Sequence, residues 1–204
     1  IGFKVGLCFH VGSQVEDTDT YERALATAAW VRSRAGVDLV GLDIGGGFPA
    51  AYGSDPRRPG TSPPDTAALV AEVVREAHEW GLGDLPMTAE PGRVIVARSL
   101  SVIVRVLLRK GRRLYINDGI WASLSDSWTG KITLPARLLP DSAGRGRRHG
   151  DPAKLMAFRV FGATCDSVDI LSRPFYLPET VGTGDWIEIG HIGAYSLGLR
   201  THFN

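Results

Sequence analysis

The sequence has 204 residues, enough for one large domain or for one and a half ordinary ones. Its 23 Lys and Arg residues nearly balance its 22 Asp and Glu residues, so charge gives no reason to expect a nucleic-acid or membrane-surface partner. No apolar run approaches the roughly 20 residues that a membrane-spanning helix needs. Two cysteines, Cys8 and Cys165, are too few for a disulfide framework and lack metal-ligand spacing, so we expect no metal site and a cytoplasmic setting.

The chain opens with "IGFKVGLCFH", which lacks the basic segment, the long apolar core and the cleavage site of a secretory signal. It does not start with Met, and these residues are typical of the middle of a strand. We therefore expect a fragment of a longer protein.

The first half of the chain alternates apolar runs with amphipathic segments. The periodicity predicts strands over residues 3–11, 37–44 and 85–90 and helices over residues 20–35 and 65–80. This order favours parallel strands joined by crossover helices, so residues 1–98 are expected to form an α/β barrel or an open sheet.

The second half has a different character. Apolar runs such as "LSVIVRVLLRKGRRLYINDG" and "GDWIEIG" are separated by turns, and no good helix is predicted between them. Residues 99–204 are therefore expected to form a mostly antiparallel β-domain.

The three predicted strands end in residues suited to ligand binding. They are His10 with Ser13, the Gly45–Gly47 triplet, and Glu90 with Arg93 around a Pro-Gly turn that is not expected to be helical. Active sites of α/β barrels lie at the carboxyl ends of the strands. Ser13, Arg93 and bare glycine N–H groups suit a phosphate, Glu90 suits a protonated ring nitrogen, and the His10 ring suits stacking. Together these features describe pyridoxal phosphate.

Each feature also has a structural interpretation. His10 could be a hydrogen-bonded structural residue, and the glycine triplet could be only a tight turn. Glu90 and Arg93 could form an exposed ion pair worth under ~1 kcal/mol. Their occurrence at three successive strand ends favours a shared site.

Six motifs occur along the chain in this order: "FHVGSQ", "LDIGGGFP", "AEPGRVIVA", "YINDG", "GATCDSVD" and "GDWIEIGHIGAYS". In these motifs, and over essentially its whole length, the chain resembles the pyridoxal-phosphate-dependent ornithine and diaminopimelate decarboxylases. The resemblance implies the C-terminal part of a TIM-like (β/α)8 barrel, of the alanine-racemase type, followed by a mostly antiparallel β-domain. "CDSVD", where diaminopimelate decarboxylases have "CESGD", favours ornithine or a related basic amino acid and hence polyamine biosynthesis.

The resemblance also implies residue roles. His10 stacks on the cofactor ring, Glu90 pairs with the pyridine nitrogen, Cys165 returns a proton to the substrate carbon, and Asp166 holds the distal ammonium of the substrate. In the family the last two enter the neighbouring subunit's site, which implies a homodimer with shared active sites. The implied phosphate ligands are Ser13, Gly45, Gly46, Gly47, Gly92, Arg93 and Tyr195. Without the family, Cys165 could be a small buried residue, Asp166 a turn cap and Tyr195 a packing residue.

The chain departs from the family at the Schiff-base lysine. The family carries it on an early barrel strand, and none of Lys4, Lys110, Lys131 and Lys154 has that context. We therefore expect this lysine upstream of the chain, and we expect the chain alone to be inactive.

A second departure concerns the substrate. Ornithine decarboxylases usually have a Tyr-Asp pair that also grips the distal amine, and this chain has Thr129-Gly130 there; Trp121 stands where a Tyr is usual. One of two ammonium-binding carboxylates is thus expected to be missing, with Asp126 nearby.

Three alternatives to ornithine remain open within the enzyme class: diaminopimelate, lysine and arginine. A catalytically silent regulatory homologue is the alternative outside it. The presence of Glu90, Arg93, Cys165 and Asp166 argues against a silent homologue, which has no chemical need for them.

Overall fold

The computed structural model describes residues 2–52, 65–140 and 150–203. They fall into two compact units, one made of residues 2–51 and 65–95 and the other of residue 52 with residues 96–140 and 150–203. Each unit has its own sheet and its own apolar core. No helix within these residues is long and apolar enough to cross a membrane.

The first unit alternates strands and helices. In chain order its elements are β1 (Val5–Cys8), α1 (Asp19–Arg32), β2 (Leu39–Asp43), α2 (Thr66–Glu79) and β3 (Met87–Thr88), and a short helix, α3 (Arg93–Val96), follows. β2 lies between β1 and β3 and is parallel to both. The predicted alternation of parallel strands and crossover helices is therefore confirmed, although β1 and β3 are shorter than predicted because only the residues paired with β2 have strand geometry.

The helices of the first unit each bury one stripe of side chains. Tyr21, Leu25 and Ala28 of α1 are buried, as are Leu69, Val73 and Ala77 of α2, and the two sets belong to one core. Spacings of three and four residues put each set on a single helix face. Fully burying a Leu or Val side chain contributes about 1.5–3 kcal/mol, so these stripes hold both helices on the sheet.

The second unit is a six-stranded sheet. Its strands are β4 (Val102–Lys110), β5 (Arg113–Ile116), β6 (Ala136–Leu138), β7 (Leu155–Phe161), β8 (Phe175–Pro178) and β9 (Trp186–Ile189). They lie in the order β6-β9-β4-β5-β7-β8, and every neighbouring pair is antiparallel except β5 and β7. The predicted mostly antiparallel β-domain is confirmed.

Two short helices correct the sequence analysis. Helix α4 (Ser125–Thr129) lies in the half of the chain for which no helix was predicted. The Pro91-Gly92 turn is not helical, as expected, but α3 begins directly after it at Arg93. Each helix is about one turn long, which is too short to show apolar periodicity in the sequence.

Candidate active site

The ends of the three parallel strands of the first unit are in direct contact. The Glu90 N–H donates to the Gly45 carbonyl oxygen (2.8 Å), and the Gly46 N–H donates to Nδ1 of His10 (3.2 Å). Parallel strands bring their carboxyl ends to one edge of a sheet, which explains the contact. Residues separated widely in sequence thus meet at the edge where ligands of α/β sheets bind.

The His10 ring is held in one orientation and one tautomer. Because Nδ1 accepts the Gly46 N–H, a neutral ring carries its proton on Nε2. The side chain is exposed. A Cβ added to Gly46 would lie 3.2 Å from Cε1 of His10 and 2.9 Å from the Glu90 carbonyl oxygen. Glycine at this position therefore lets the imidazole approach the end of β3, and the ring face is available to a flat ligand.

The glycine triplet is both a tight turn and part of the site. Gly45 and Gly47 have φ of +65° and +102°, which disfavour other residues. The Gly45 N–H donates to Oδ1 of Asp43 (2.8 Å), so this group and the Gly46 N–H are engaged inside the protein. Within the described residues the Gly47 N–H has no acceptor. Gly47 is therefore the member of the triplet that can offer its N–H to an anion.

Ser13 and Arg93 form a polar pair beside the triplet. Nε of Arg93 donates to Oγ of Ser13 (3.1 Å), and Arg93 is only 6% exposed. A guanidinium beside a hydroxyl binds a phosphate through charge-assisted hydrogen bonds. Gly92 adds no crowding, since a Cβ there would meet nothing within 4 Å.

One corner of the strand ends is acidic. Single ligand atoms of Cys8, Asp43 and Glu90 lie within 4.8 Å of one another. Desolvation by neighbouring atoms, and then the carboxylates of Asp43 and Glu90, raise the pKa of the exposed Cys8 thiol above its usual value. The strands beside it line a concavity of about 390 Å³ that includes Cys8, Asp43 and Thr88. Two carboxylates in one corner favour a positively charged ligand group, such as a protonated ring nitrogen.

Two supporting residues were missed by the sequence analysis. The hydroxyl of Tyr21, which is fully buried, donates to the Gly46 carbonyl oxygen (3.2 Å), and burial raises the pKa of Tyr21 to about 12. The side-chain amide of Gln14 bonds both to the N–H (2.7 Å) and to the carbonyl oxygen (3.0 Å) of Ala50. Both contacts fix the glycine turn against neighbouring segments. The only signal for Gln14 in the sequence is its place directly after Ser13.

The second unit contains Cys165 and Asp166 in the loop after β7. Cys165 is exposed and Asp166 is half-buried. Oδ1 of Asp166 accepts the Val168 N–H (3.0 Å), so this carboxylate does cap a turn, as the structural interpretation expected. A groove of about 560 Å³ runs beside the loop and is lined by Trp128, Arg159 and Val168, among other residues.

Tyr195 lies in the segment after β9 of the same unit. Its side chain is 47% exposed, and its φ is +51°. A left-handed conformation in a residue with a large side chain is uncommon and is often found at functional sites. Its carbonyl oxygen accepts the Oγ hydroxyl of Ser125 (2.9 Å), which ties the segment to the start of α4.

Asp126 and Gly130 are packed together at α4. Asp126 is buried (6% exposed), and a Cβ on Gly130 would lie 3.0 Å from its Oδ1 atom. The glycine that stands in place of the expected second carboxylate therefore leaves room for the Asp126 carboxylate.

The first unit fits a flat cofactor that has a phosphate at one end and a basic ring nitrogen. Ser13, Arg93 and the Gly47 N–H suit the phosphate, His10 offers a ring face, and the corner with Glu90 is acidic. These groups match the phosphate, the ring face and the ring nitrogen of pyridoxal phosphate.

Comparisons with known proteins agree with this fit. Residues 2–97 match the family model described as "Pyridoxal-dependent decarboxylase, pyridoxal binding domain", and residues 65–193 match the one described as "Pyridoxal-dependent decarboxylase, C-terminal sheet domain".

Individual relatives match nearly the whole length of this chain. The chain is 31% identical to the lysine/ornithine decarboxylase of Selenomonas ruminantium, in a match that covers 98% of this chain and 48% of that protein. It is 29% identical to antizyme inhibitor 2 of Xenopus laevis, in a match that covers 98% of this chain and 45% of that protein. The crystal structure of the Paramecium bursaria Chlorella virus arginine decarboxylase bound to agmatine is similar with a TM-score of 0.73 and 26% identity, covering 98% of this chain and 52% of that one. The chain thus spans about half the length of the relatives it matches, and the predicted fold class is confirmed.

Proposed function

The chain belongs to the pyridoxal-dependent decarboxylase family, and we propose that it forms part of an enzyme that converts a basic amino acid such as ornithine into carbon dioxide and an amine. One observation carries the proposal: an imidazole, an acidic corner and a Ser13–Arg93 pair surround the meeting point of three parallel strand ends. Since ornithine would yield a diamine, we further propose a cytoplasmic enzyme of polyamine biosynthesis.

The residues of the first unit would bind and orient the cofactor. Bound pyridoxal phosphate supplies an electron sink for the electron pair that carbon dioxide leaves behind. Glu90 keeps a proton on the ring nitrogen, because a nearby negative charge favours the protonated form. His10 supports the ring face through the orientation that Gly46 imposes on it.

The phosphate ligands would come from several segments. Ser13 and Arg93 contribute a hydroxyl and a guanidinium, and the Gly47 N–H is the donor of the triplet that is available. Gly92, through its backbone, and Tyr195 complete the proposed set. Gly45 and Gly46 act mainly by shaping the turn, since their own N–H groups bond to Asp43 and His10.

Cys165 and Asp166 would act on the substrate. Asp166 pairs with the distal ammonium, and the Cys165 thiol gives its proton to the α carbon after decarboxylation. We propose that both residues complete the site of a neighbouring subunit, so that the enzyme is a homodimer with shared sites. We also propose that the Schiff-base lysine lies in a part of the complete enzyme outside these 204 residues.

Two observations bear on the alternatives. One relative of similar identity is named a lysine/ornithine decarboxylase, and another is named an antizyme inhibitor, so the family includes a member named for regulation. Glu90, Arg93, Cys165 and Asp166 are all present here, which supports an enzyme rather than a silent homologue. With Gly130 in place of a second carboxylate, we expect discrimination among basic amino acids to be weakened by ~1–3 kcal/mol.

A substrate panel tests the proposal. The complete enzyme, loaded with pyridoxal phosphate, is given ornithine, lysine, arginine, diaminopimelate and a neutral analogue, and carbon dioxide release is measured. At least one basic amino acid is expected to react. Asp166→Ala is expected to lower kcat/KM for it by at least ~100-fold, because an unpaired charge in a closed site costs about 3–5 kcal/mol. The same change at the exposed Asp151 is the control.

The outcomes separate the alternatives. Turnover of the neutral analogue alone would support decarboxylase activity but contradict the proposal of a basic substrate. No turnover of any amino acid by the loaded enzyme would favour the regulatory homologue.

A further inference from the structure

A buried carboxylate lies next to the two proposed substrate residues and takes part in none of the steps above. Asp169 is only 2% exposed. Its Oδ1 atom accepts the Ile120 N–H (2.9 Å), and its Oδ2 atom accepts both the N–H (3.1 Å) and the Oγ hydroxyl (2.6 Å) of Thr164. The two oxygens thus bind two different segments, which lie far apart in the sequence.

The packing around this carboxylate requires glycine on both segments. A Cβ added to Gly119 would lie 2.2 Å from Oδ1 of Asp169, and one added to Gly162 would lie 2.1 Å from the same atom. These distances are far below any normal contact. The glycines of the "NDG" and "GATCDSVD" motifs therefore make the space that this carboxylate fills.

The backbone of Asp169 closes the loop that contains Cys165 and Asp166. The Asp169 N–H donates to the Asp166 carbonyl oxygen (3.1 Å), and the Gly162 N–H donates to the Asp169 carbonyl oxygen (2.8 Å). With the side-chain bonds to Thr164, Asp169 fixes the chain on both sides of Cys165. Residues 162–169 have neither helix nor strand geometry, and an isolated bridge between Phe161 and Ile170 closes the loop, so the Asp169 bonds add contacts inside it.

We propose that Asp169 is a positioning residue that holds the Cys165–Asp166 loop against the Gly119–Ile120 turn. The proposal rests on the proposed function, because it matters to catalysis only if Cys165 delivers the proton and Asp166 binds the ammonium. Asp169 does not touch the reacting atoms. It sets the direction from which the thiol reaches the substrate carbon, and it couples that direction to the turn that precedes Trp121.

Asp169→Asn is the decisive variant because it keeps the shape of the side chain. The two oxygens of Asp169 face different segments and an amide has only one oxygen, so either the Ile120 N–H or the Thr164 N–H loses its acceptor. One of the two segments is therefore released without opening a cavity. The matched control is Asp185→Asn, since Asp185 is also buried in this unit and its Oδ2 atom accepts the Gly182 N–H (2.8 Å) in another turn.

The first measurement is amide hydrogen exchange of the complete enzyme, with and without pyridoxal phosphate. Losing a bond to a charged acceptor is expected to speed exchange at Ile120 or at Thr164 by roughly 10- to 100-fold in Asp169→Asn. The control is expected to leave both positions unchanged. Unchanged exchange at both in Asp169→Asn would overturn the proposal.

The second measurement is the fate of Cys165. In Asp169→Asn the rate at which iodoacetamide alkylates this thiol is expected to change at least threefold. The share of aldehyde among the products, which forms when the proton does not reach the substrate α carbon, is expected to rise. Wild-type alkylation and an unchanged ratio of amine to aldehyde, despite faster exchange, would show that Asp169 is structural only. If the wild-type enzyme forms no amine, the proposed function fails, and exchange with alkylation still decides whether Asp169 positions the loop.

Discussion

Gly46→Ala is the substitution that most sharply tests the geometry of the strand ends. Gly46 is buried between the His10 ring and the end of β3, and it does not have a positive φ. The added methyl group would stand 2.9 Å from the Glu90 carbonyl oxygen and 3.2 Å from Cε1 of His10. The effect is therefore steric, without backbone strain at the glycine itself.

The expected magnitude follows from this crowding. Forcing one methyl group into a packed site costs about 1–3 kcal/mol. The backbone carbonyl cannot rotate away, so the imidazole must move and its bond to the Gly46 N–H is weakened. If this cost falls on the bound state, the Kd for pyridoxal phosphate rises by about 5- to 140-fold, at 1.4 kcal/mol for each factor of ten.

The assay is a cofactor titration followed by absorbance, with Tm measured on the same preparation of the complete enzyme. Gly41→Ala is the control for crowding, since its Cβ would lie 3.2 Å from the Pro86 carbonyl oxygen, away from His10. Gly198→Ala, where a Cβ would meet nothing within 4 Å, is the control for the substitution itself. A Gly46→Ala enzyme with a lowered Tm but an unchanged Kd would refute the placement of the cofactor at His10.

Two further predictions concern Cys165 and Glu76. Cys165→Ala is expected to release carbon dioxide, but the proton is expected to go to a carbon of the cofactor instead of the substrate α carbon. One water would then release an aldehyde and leave the substrate nitrogen on the cofactor. Formation of only the normal amine at a normal rate would contradict this prediction. Glu76 is buried in α2 with an unpaired Oε2 atom within the described residues, and burial and neighbouring acids raise its pKa. Because the folded chain holds this proton more tightly, Glu76 costs stability as pH rises above its usual pKa. Glu76→Gln is therefore expected to stabilise the protein by about 1 kcal/mol at pH 8 and not near pH 4, as measured by denaturant unfolding with the exposed Glu79→Gln as control; an equal gain at both pH values would contradict the account.

The sequence predicted the helices that are long enough for their pattern of apolar residues to repeat. The stripes on α1 and α2 extend over several turns, and both helices were predicted close to their observed bounds. Helix α4 has five residues and was missed, because a single turn cannot show a period.

The part of the site that lies at the ends of parallel strands could be predicted from the sequence. The contact that joins Asp169 to a distant turn could not. His10, Gly46 and Glu90 were expected to meet, since parallel strands end together, and they are in contact. The roles assigned to them stay predictions. Asp169 stands four residues after Cys165, but its partner Ile120 is 49 residues away, and no local pattern predicts such a contact.

The central claim is that the strand ends of the first unit use pyridoxal phosphate to drive decarboxylation, and Glu90→Gln tests it most directly. Gln keeps the size of the side chain and removes the charge that holds the ring nitrogen protonated. Cofactor absorbance and steady-state carbon dioxide release would be measured on one preparation of the complete enzyme. We expect most of the cofactor to remain bound while kcat falls by at least ~100-fold. Wild-type turnover with bound cofactor would contradict the account.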